Sequence, residues 1–472
     1  MSVLLHRVRL VVPLAALFAL SAPLRVDSAA PPKEWKGGND DKASNGNNYE
    51  NNPSGTAPGQ NDRVKHSTGQ MLIDAALTFG SIEFTGGSIL GLGTDAITLV
   101  GQTSLWTGGE LTGSATLNLP GLTIGAGSAK KVTNGAKFNL SGTTTWSADD
   151  IVTGSGAAIN NASGATFTVS GAGKISHDTS LGGNRSTFKN DGTFTKSIDT
   201  GTTEIEAIFD NNGTVNVNTG ILKLKGGGTS TGSFTLASGG SVEVNANDYA
   251  FNSGTLSGGG IIGIKGANAT FGSTGGNAAI KVDGGNARFD GTHVGTGTFT
   301  LANGNVSAGS GTAEFGSLEW TGGNLNGKVK STGSASVSGA SAKTIGSSGE
   351  LTLGGSATIT GGNLTNQGKL TKNDAGLTEV QTNFTSTGTL AADAGTLKLT
   401  GGGQTSNTVT IGNGAKVQVA TTDYSFENAT VTGTGTGELE LLGATTKFKN
   451  STVNTKVSVN GGNVDFDTSL TT

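Results

Sequence analysis

Hydrophobic residues in this chain come singly and in alternation. Segments such as "TVNVN" (214–218) and "ILKLK" (221–225) place Val, Ile and Leu at every second position, with Thr, Asn and Lys between them. Alternation of this kind belongs to strands with one buried face. The segments are short, and Gly or Asn-Gly closes them, which predicts tight turns between strands. No apolar pattern of helical period follows residue 30, so the expected fold class is all-β.

The strand patterns recur. Phe84 in "EFTGG" is answered one step later by Trp106 in "LWTGG", and Asn190 in "NDGTFT" by Asn211 in "NNGTVN". A step of about 22 residues holding two or three short strands is the length of one solenoid coil. Longer-range copies keep the same order. "FGSIEFTGG" (79–87) matches "FGSLEWTGG" (315–323), "ILKLKGGG" (221–228) matches "TLKLTGGG" (396–403), and "NDYAF" (247–251) matches "TDYSF" (422–426). The offset between copies shrinks along the chain, by near one coil between the pairs Phe79/Phe315 and Trp106/Trp320, and by near two more at Ile221/Thr396. A stack tolerates such changes because each coil touches only its neighbours, whereas they would break the topology of stacked antiparallel sandwiches, the competing fold. The expected architecture is an elongated parallel β-helix. Over residues 78–472 it would hold about 18 coils, at roughly 4.8 Å each a rod on the order of 85 Å. The expected organisation is a signal peptide at 1–30, a disordered polar leader at 31–77, repeat unit one at 78–314, and repeat unit two at 315–472, shorter by about two coils and ending within a repeat.

Composition supports a thin core. The chain has 81 Gly in 472 residues, no Cys, 5% aromatic and 14% charged residues. That supply cannot fill a thick globular interior, but an inward ladder one residue deep needs no more. His6, Arg7 and Arg9 precede an apolar run at 10–20 and the small-residue stretch "DSAA", the layout of a secretory signal with cleavage near Ser28 to Ala30. That apolar run falls short of a membrane span. Export without cysteine means stability without disulfides. Residues 31–70 show no apolar period and read as disordered, with Trp35 and Tyr49 as the candidates there for wall or matrix contact. A net charge of −4 with dispersed basic residues excludes a nucleic-acid partner.

The runs "WTGG", "NNGT", "TLKLTGGG" and "GGN" resemble the β-strand repeats of large secreted bacterial surface proteins, the autotransporter passengers and filamentous-haemagglutinin-like adhesins, over roughly residues 78–472. The resemblance implies surface display and adhesion, although no C-terminal barrel strands or sorting signal accompany the repeats. The expected protein is secreted or surface-exposed, structural and adhesive, without catalysis. Surface glycans or other matrix proteins are its expected partners. Because the second copy stops within a repeat, an open coil end is expected to favour end-to-end self-association.

Candidate chemistry is sparse. Asp149 and Asp150 in "SADDIVTG" precede His177, Asp178, Arg185 and Lys189 in "HDTSLGGNRSTFK". A polysaccharide hydrolase or lyase using these acids is the alternative function, because glycosidases need two carboxylates flanking the scissile bond. Adjacent strand residues point to opposite faces, however, so a solvated turn is the favoured reading. The four His, at 6, 66, 177 and 293, lack ligand spacing, and no metal or cofactor is expected. A Thr-rich ice-binding face is disfavoured because no strict Thr-x-Thr marks every coil. The Asn-x-Ser/Thr triplets, such as Asn139 and Asn428, follow from composition.

Overall fold

The computed structural model describes residues 30–467 except 39, 198, 421 and 422, so the expected signal segment, Ala30 apart, lies outside the described residues. The chain forms an elongated parallel β-solenoid of about 20 turns. One turn shows the plan: strands Ala158–Asn161, Thr166–Val169 and Gly173–His177 lie on a first, second and third sheet, and Thr187–Asn190, Thr193–Lys196 and Thr202–Ile205 repeat them one turn on. Each strand pairs in parallel with its equivalent, as Ile159 with Phe188, Phe167 with Phe194 and Ile175 with Ile205. The alternating residues Phe167 and Val169 turn inward while Thr166 and Thr168 turn out. Among the described residues no helix is long and apolar enough to cross a membrane.

Turn length varies more than the recurring step in the sequence implies. A short turn runs from Glu314 to its partner Lys330, and a turn nearly twice as long runs from Ile175 to Ile205. The extra residues lie in corners, above all the segment between His177 and Thr187, which holds the 3-10 turn Thr179–Leu181. Strand length is fixed by pairing, whereas a corner can bulge into solvent without disturbing its neighbours.

The leader expected to be disordered is folded. Lys33–Trp35 pairs antiparallel with Tyr49–Glu50 and parallel with Arg63–His66, which starts the column. Trp35 and Tyr49 are both buried, their rings edge-on at 5.2 Å, so neither is an exposed contact. The polar residues that suggested disorder are used as turn builders. Asn48 donates to Lys42 O at 3.0 Å, and Asn52 to Gly46 O at 2.7 Å and Thr56 O at 2.8 Å. A few apolar side chains suffice to close the first turns because the interior is only one residue deep.

The interior stacks like on like. Phe251, Phe271 and Phe289 form a column with ring centroids 5.1 and 5.0 Å apart. Beside the rings runs a buried amide column in which Asn161 donates to Asn190 and Asn190 to Asn211, each at 2.7 Å, and Asn211 to Ser230 Oγ at 3.0 Å. The same amides reach across the corner, Asn161 to Thr193 O and Asn190 to Thr214 O. This explains the Asn-x-Gly motif. The Asn ends a first-sheet strand facing inward and ties two turns to the start of the second sheet. Asn366 repeats the device with Ser386 and Thr389. Six residues after Asn190 and Asn366 respectively, Lys196 and Lys372 are buried and turn their ammonium groups to the next corner, onto Asp199 and Asp374.

The long-range copies are in phase only in part. Ile221 and Thr396 both begin third-sheet strand segments, and Tyr249 and Tyr424 both face inward on the first sheet. The Trp motif differs: Phe84 and Trp106 pair on the second sheet, but Trp320 pairs with Val337 on the third. No break marks the expected unit boundary, since strand Thr312–Phe315 crosses it and pairs with the turns on both sides.

Asn190→Ala is expected to weaken the column locally by about 1–3 kcal/mol, because in a dry interior it leaves Asn211 Oδ1 without its donor and removes the acceptor of one Asn161 N–H, whose bond to Thr193 O remains. Hydrogen exchange should show faster opening of strands Thr166–Val169 and Thr193–Lys196 while turns beyond Phe289 keep their protection.

Candidate functional site

The structure separates the expected acidic cluster into two places. Asp149 and Asp150 occupy a corner between the second and third sheets, and Asp149 has a left-handed backbone with φ 59°. Its carboxylate reaches back one turn, accepting from Gly127 N at 2.8 Å and from the buried Lys130 Nζ at 3.0 Å. Asp150 reaches forward one turn, accepting from Lys174 N at 2.9 Å. The two carboxylates therefore diverge along the axis and tie corners together. Lys189 lies on the first sheet and pairs with Asp191 at 2.7 Å.

His177, Asp178 and Arg185 lie at the opposite end of the third sheet, in the longest corner. Asp178 caps the 3-10 turn, accepting from Ser180 N at 2.9 Å and Ser180 Oγ at 2.6 Å. Arg185 donates to Glu206 O at 2.6 Å, and Glu206 itself joins the group from the next turn. Its carboxylate accepts from Lys174 and Lys225, each at 2.9 Å, and from the His177 amide at 3.2 Å. Glu206 is hidden in the sequence because a whole long turn separates it from His177. The signal that could have found it is the Glu-x-Glu at 204 and 206 facing the Lys-x-Lys at 223 and 225, one turn later.

The electrostatics oppose a general acid. Burial pushes the Glu206 carboxyl up, but the Lys174 and Lys225 ammonium groups and the His177 amide outweigh it and hold it down at about 2. Hydrogen bonding by Ser180 lowers Asp178, and Lys130 lowers Asp149. Burial, and then the charge of Arg185, lowers His177. A glycosidase needs one carboxyl that keeps its proton near neutrality, and these three are all biased the other way. The remaining described histidines are core residues: His66 meets Ser88 O at 3.0 Å and His293 meets Thr274 Oγ1 at 2.9 Å, and burial lowers both to about 4.

A groove runs from this cluster along the corner between the third and first sheets. It begins as a depression of about 250 Å³ between His177, Arg185, Glu206 and Asn247. It widens to about 580 Å³ over Gly226, Gly227 and Gly228, flanked by Asp210 and Asp248. It then continues for about 300 Å³ past Asn268 and Asn286 to Asn305. The three parts share Ala246. The corner needs a left-handed residue, which Gly227, Gly266 and Gly284 supply at φ 75°, 82° and 95°; Ala246 adopts the same conformation at 81° despite its Cβ. The equivalent corner of the second copy, at Gly401, Gly402 and Gly403, carries a separate depression of about 440 Å³.

The outer faces are regular. On the third sheet Lys174, Glu204, Lys223 and Glu243 follow one another turn by turn. On the second, Thr143, Thr166, Thr193 and Thr214 form one column, with Thr145, Thr168 and Thr195 beside it. All four Trp are buried.

Glu206 yields a pH expectation. Its folded pKa of about 2 lies below the ordinary 4.5, so its contribution to stability is present above pH 4.5 and is lost as pH falls towards 2. Melting temperature followed from pH 6 to pH 2 should fall through this window, and less steeply in Glu206→Gln. Compared with models of protein families, with curated proteins and with solved structures, the chain has no match.

Proposed function

We propose that this chain is a secreted or surface-exposed structural and adhesive repeat protein, acting through the extended polar faces of its solenoid without catalysis, in the manner of the autotransporter-passenger and haemagglutinin-like adhesins its repeats resemble. The observation that carries this reading is the division of labour between inside and outside. Aromatic side chains fill the interior, while the surface repeats Thr, Asn and alternating Lys and Glu at the spacing of the turns. Each exposed ion pair contributes little to stability. A periodic polar surface instead offers many equivalent weak contacts, whose sum gives avidity for a repetitive partner such as a surface glycan or a matrix protein. The basic and apolar pattern of residues 1–30 supports export, and end-to-end association of columns would extend the surface further.

Deleting residues 370–389 removes one turn, because Leu370 pairs with Leu390. Beads coated with the full chain should adhere to glycan-bearing surfaces, and this deletion should weaken adhesion in a graded way, by less than about threefold, with no release of soluble sugar from the surface. Complete loss on removal of that single turn, or sugar release, would count against a distributed, non-catalytic surface.

A further inference from the structure

We infer that the corner groove from His177 to Asn305 is a track for one extended, uncharged polysaccharide strand. The inference rests on the adhesive reading and names the surface and ligand class that serve it.

Continuity comes first. The three depressions share Ala246 and follow the solenoid axis over about seven turns, on the order of 30 Å at roughly 4.8 Å per turn. That spacing is close to the length of one pyranose unit, so successive sugars meet successive turns in equivalent positions. Close backbone approach restricts this stretch to glycine and so keeps it free of side chains, since a Cβ on Gly226 would collide with Ala207 O and one on Gly228 with Phe209 O. The turn Thr179–Leu181 raises a wall at one end.

The chemistry fits hydroxyl groups. Along the first-sheet rim Asn268 donates to Asp248 at 3.0 Å and Asn286 to Asn268 at 3.3 Å. An amide has two N–H groups and a carbonyl with two lone pairs, so each amide of this rim keeps at least one carbonyl lone pair for a ligand hydroxyl. The charges alternate: Arg185 and Lys225 stand at one end with Glu206, and Asp210 and Asp248 stand further along. A polyanion meets the two aspartates and a polycation meets the arginine and lysine, so the complementary strand is neutral. A peptide adding as a β-strand requires an unpaired sheet edge, and these corners lie between strands already paired above and below. No exposed aromatic ring lines the groove among the described residues, so each sugar binds weakly and affinity grows with length.

The test is calorimetric titration of the full chain with linear oligosaccharides of two to ten units built from glucose, N-acetylglucosamine or mannose. Polygalacturonate and an unstructured peptide serve as comparators. At least one neutral series should gain affinity with each added unit up to about seven and then level off. Asn247→Trp, which fills the groove, and Thr179→Trp, on its wall, should each lower affinity for the longest chain at least tenfold. Val100→Trp, at an exposed corner elsewhere, should leave it unchanged, with circular dichroism unaltered in all three variants. Absence of length-dependent binding in all three series, preference for polygalacturonate or peptide, or indifference to both groove variants overturns the inference. Bead adhesion separates the two readings: adhesion that persists while the groove variants have no effect sinks the track alone, whereas loss of all adhesion by the unaltered chain sinks the adhesive reading.

Discussion

Every feature of this molecule depends on parallel hydrogen bonding between one turn and the next. Pairing at about 4.8 Å per turn places each residue directly above its equivalent, so a side chain facing inward must suit the same kind of side chain above and below it. Phenylalanines satisfy this by stacking, as Phe251 does on Phe271. Asparagines satisfy it by donating to one neighbour and accepting from the other, as Asn190 does between Asn161 and Asn211. The interior is one residue deep, and for that reason a chain with so much glycine and so few aromatics can close a core without disulfides. Left-handed corners consume much of the glycine, Gly227 and Gly402 being equivalent instances in the two copies.

The same constraint governs where function can be built. Residues adjacent in sequence are driven apart: Asp149 ties its corner to the turn before, and Asp150 to the turn after. Residues a full turn apart in sequence are driven together, as His177, Glu206 and Lys225 are. A local cluster of acids is consequently a poor guide to a site in a solenoid. A groove or a face is the natural functional unit, and its chemistry repeats along the axis. The charged third sheet, the Thr columns of the second and the amide rim of the first are three such units on one column.

Alternating apolar positions and a motif step the length of one coil were enough to determine that the chain is an all-β parallel solenoid with a thin core, because both are local consequences of strand geometry. Equivalent motifs such as Ile221 and Thr396 could be matched from sequence for the same reason. Composition misled at residues 31–77, where polar residues build turns and Trp35 and Tyr49 close the column. What only the tertiary structure decided is register. Corners vary in length from turn to turn, so the sequence does not say which residue lies on which neighbour. The Thr columns were hidden by that variation, the Trp320 motif changed sheets, and Glu206 met His177 and Arg185 across a corner of unpredictable length. Alternation tells inward from outward within a strand, but alignment between turns is set only when the backbones pair, and the groove from His177 to Asn305 exists only once they have.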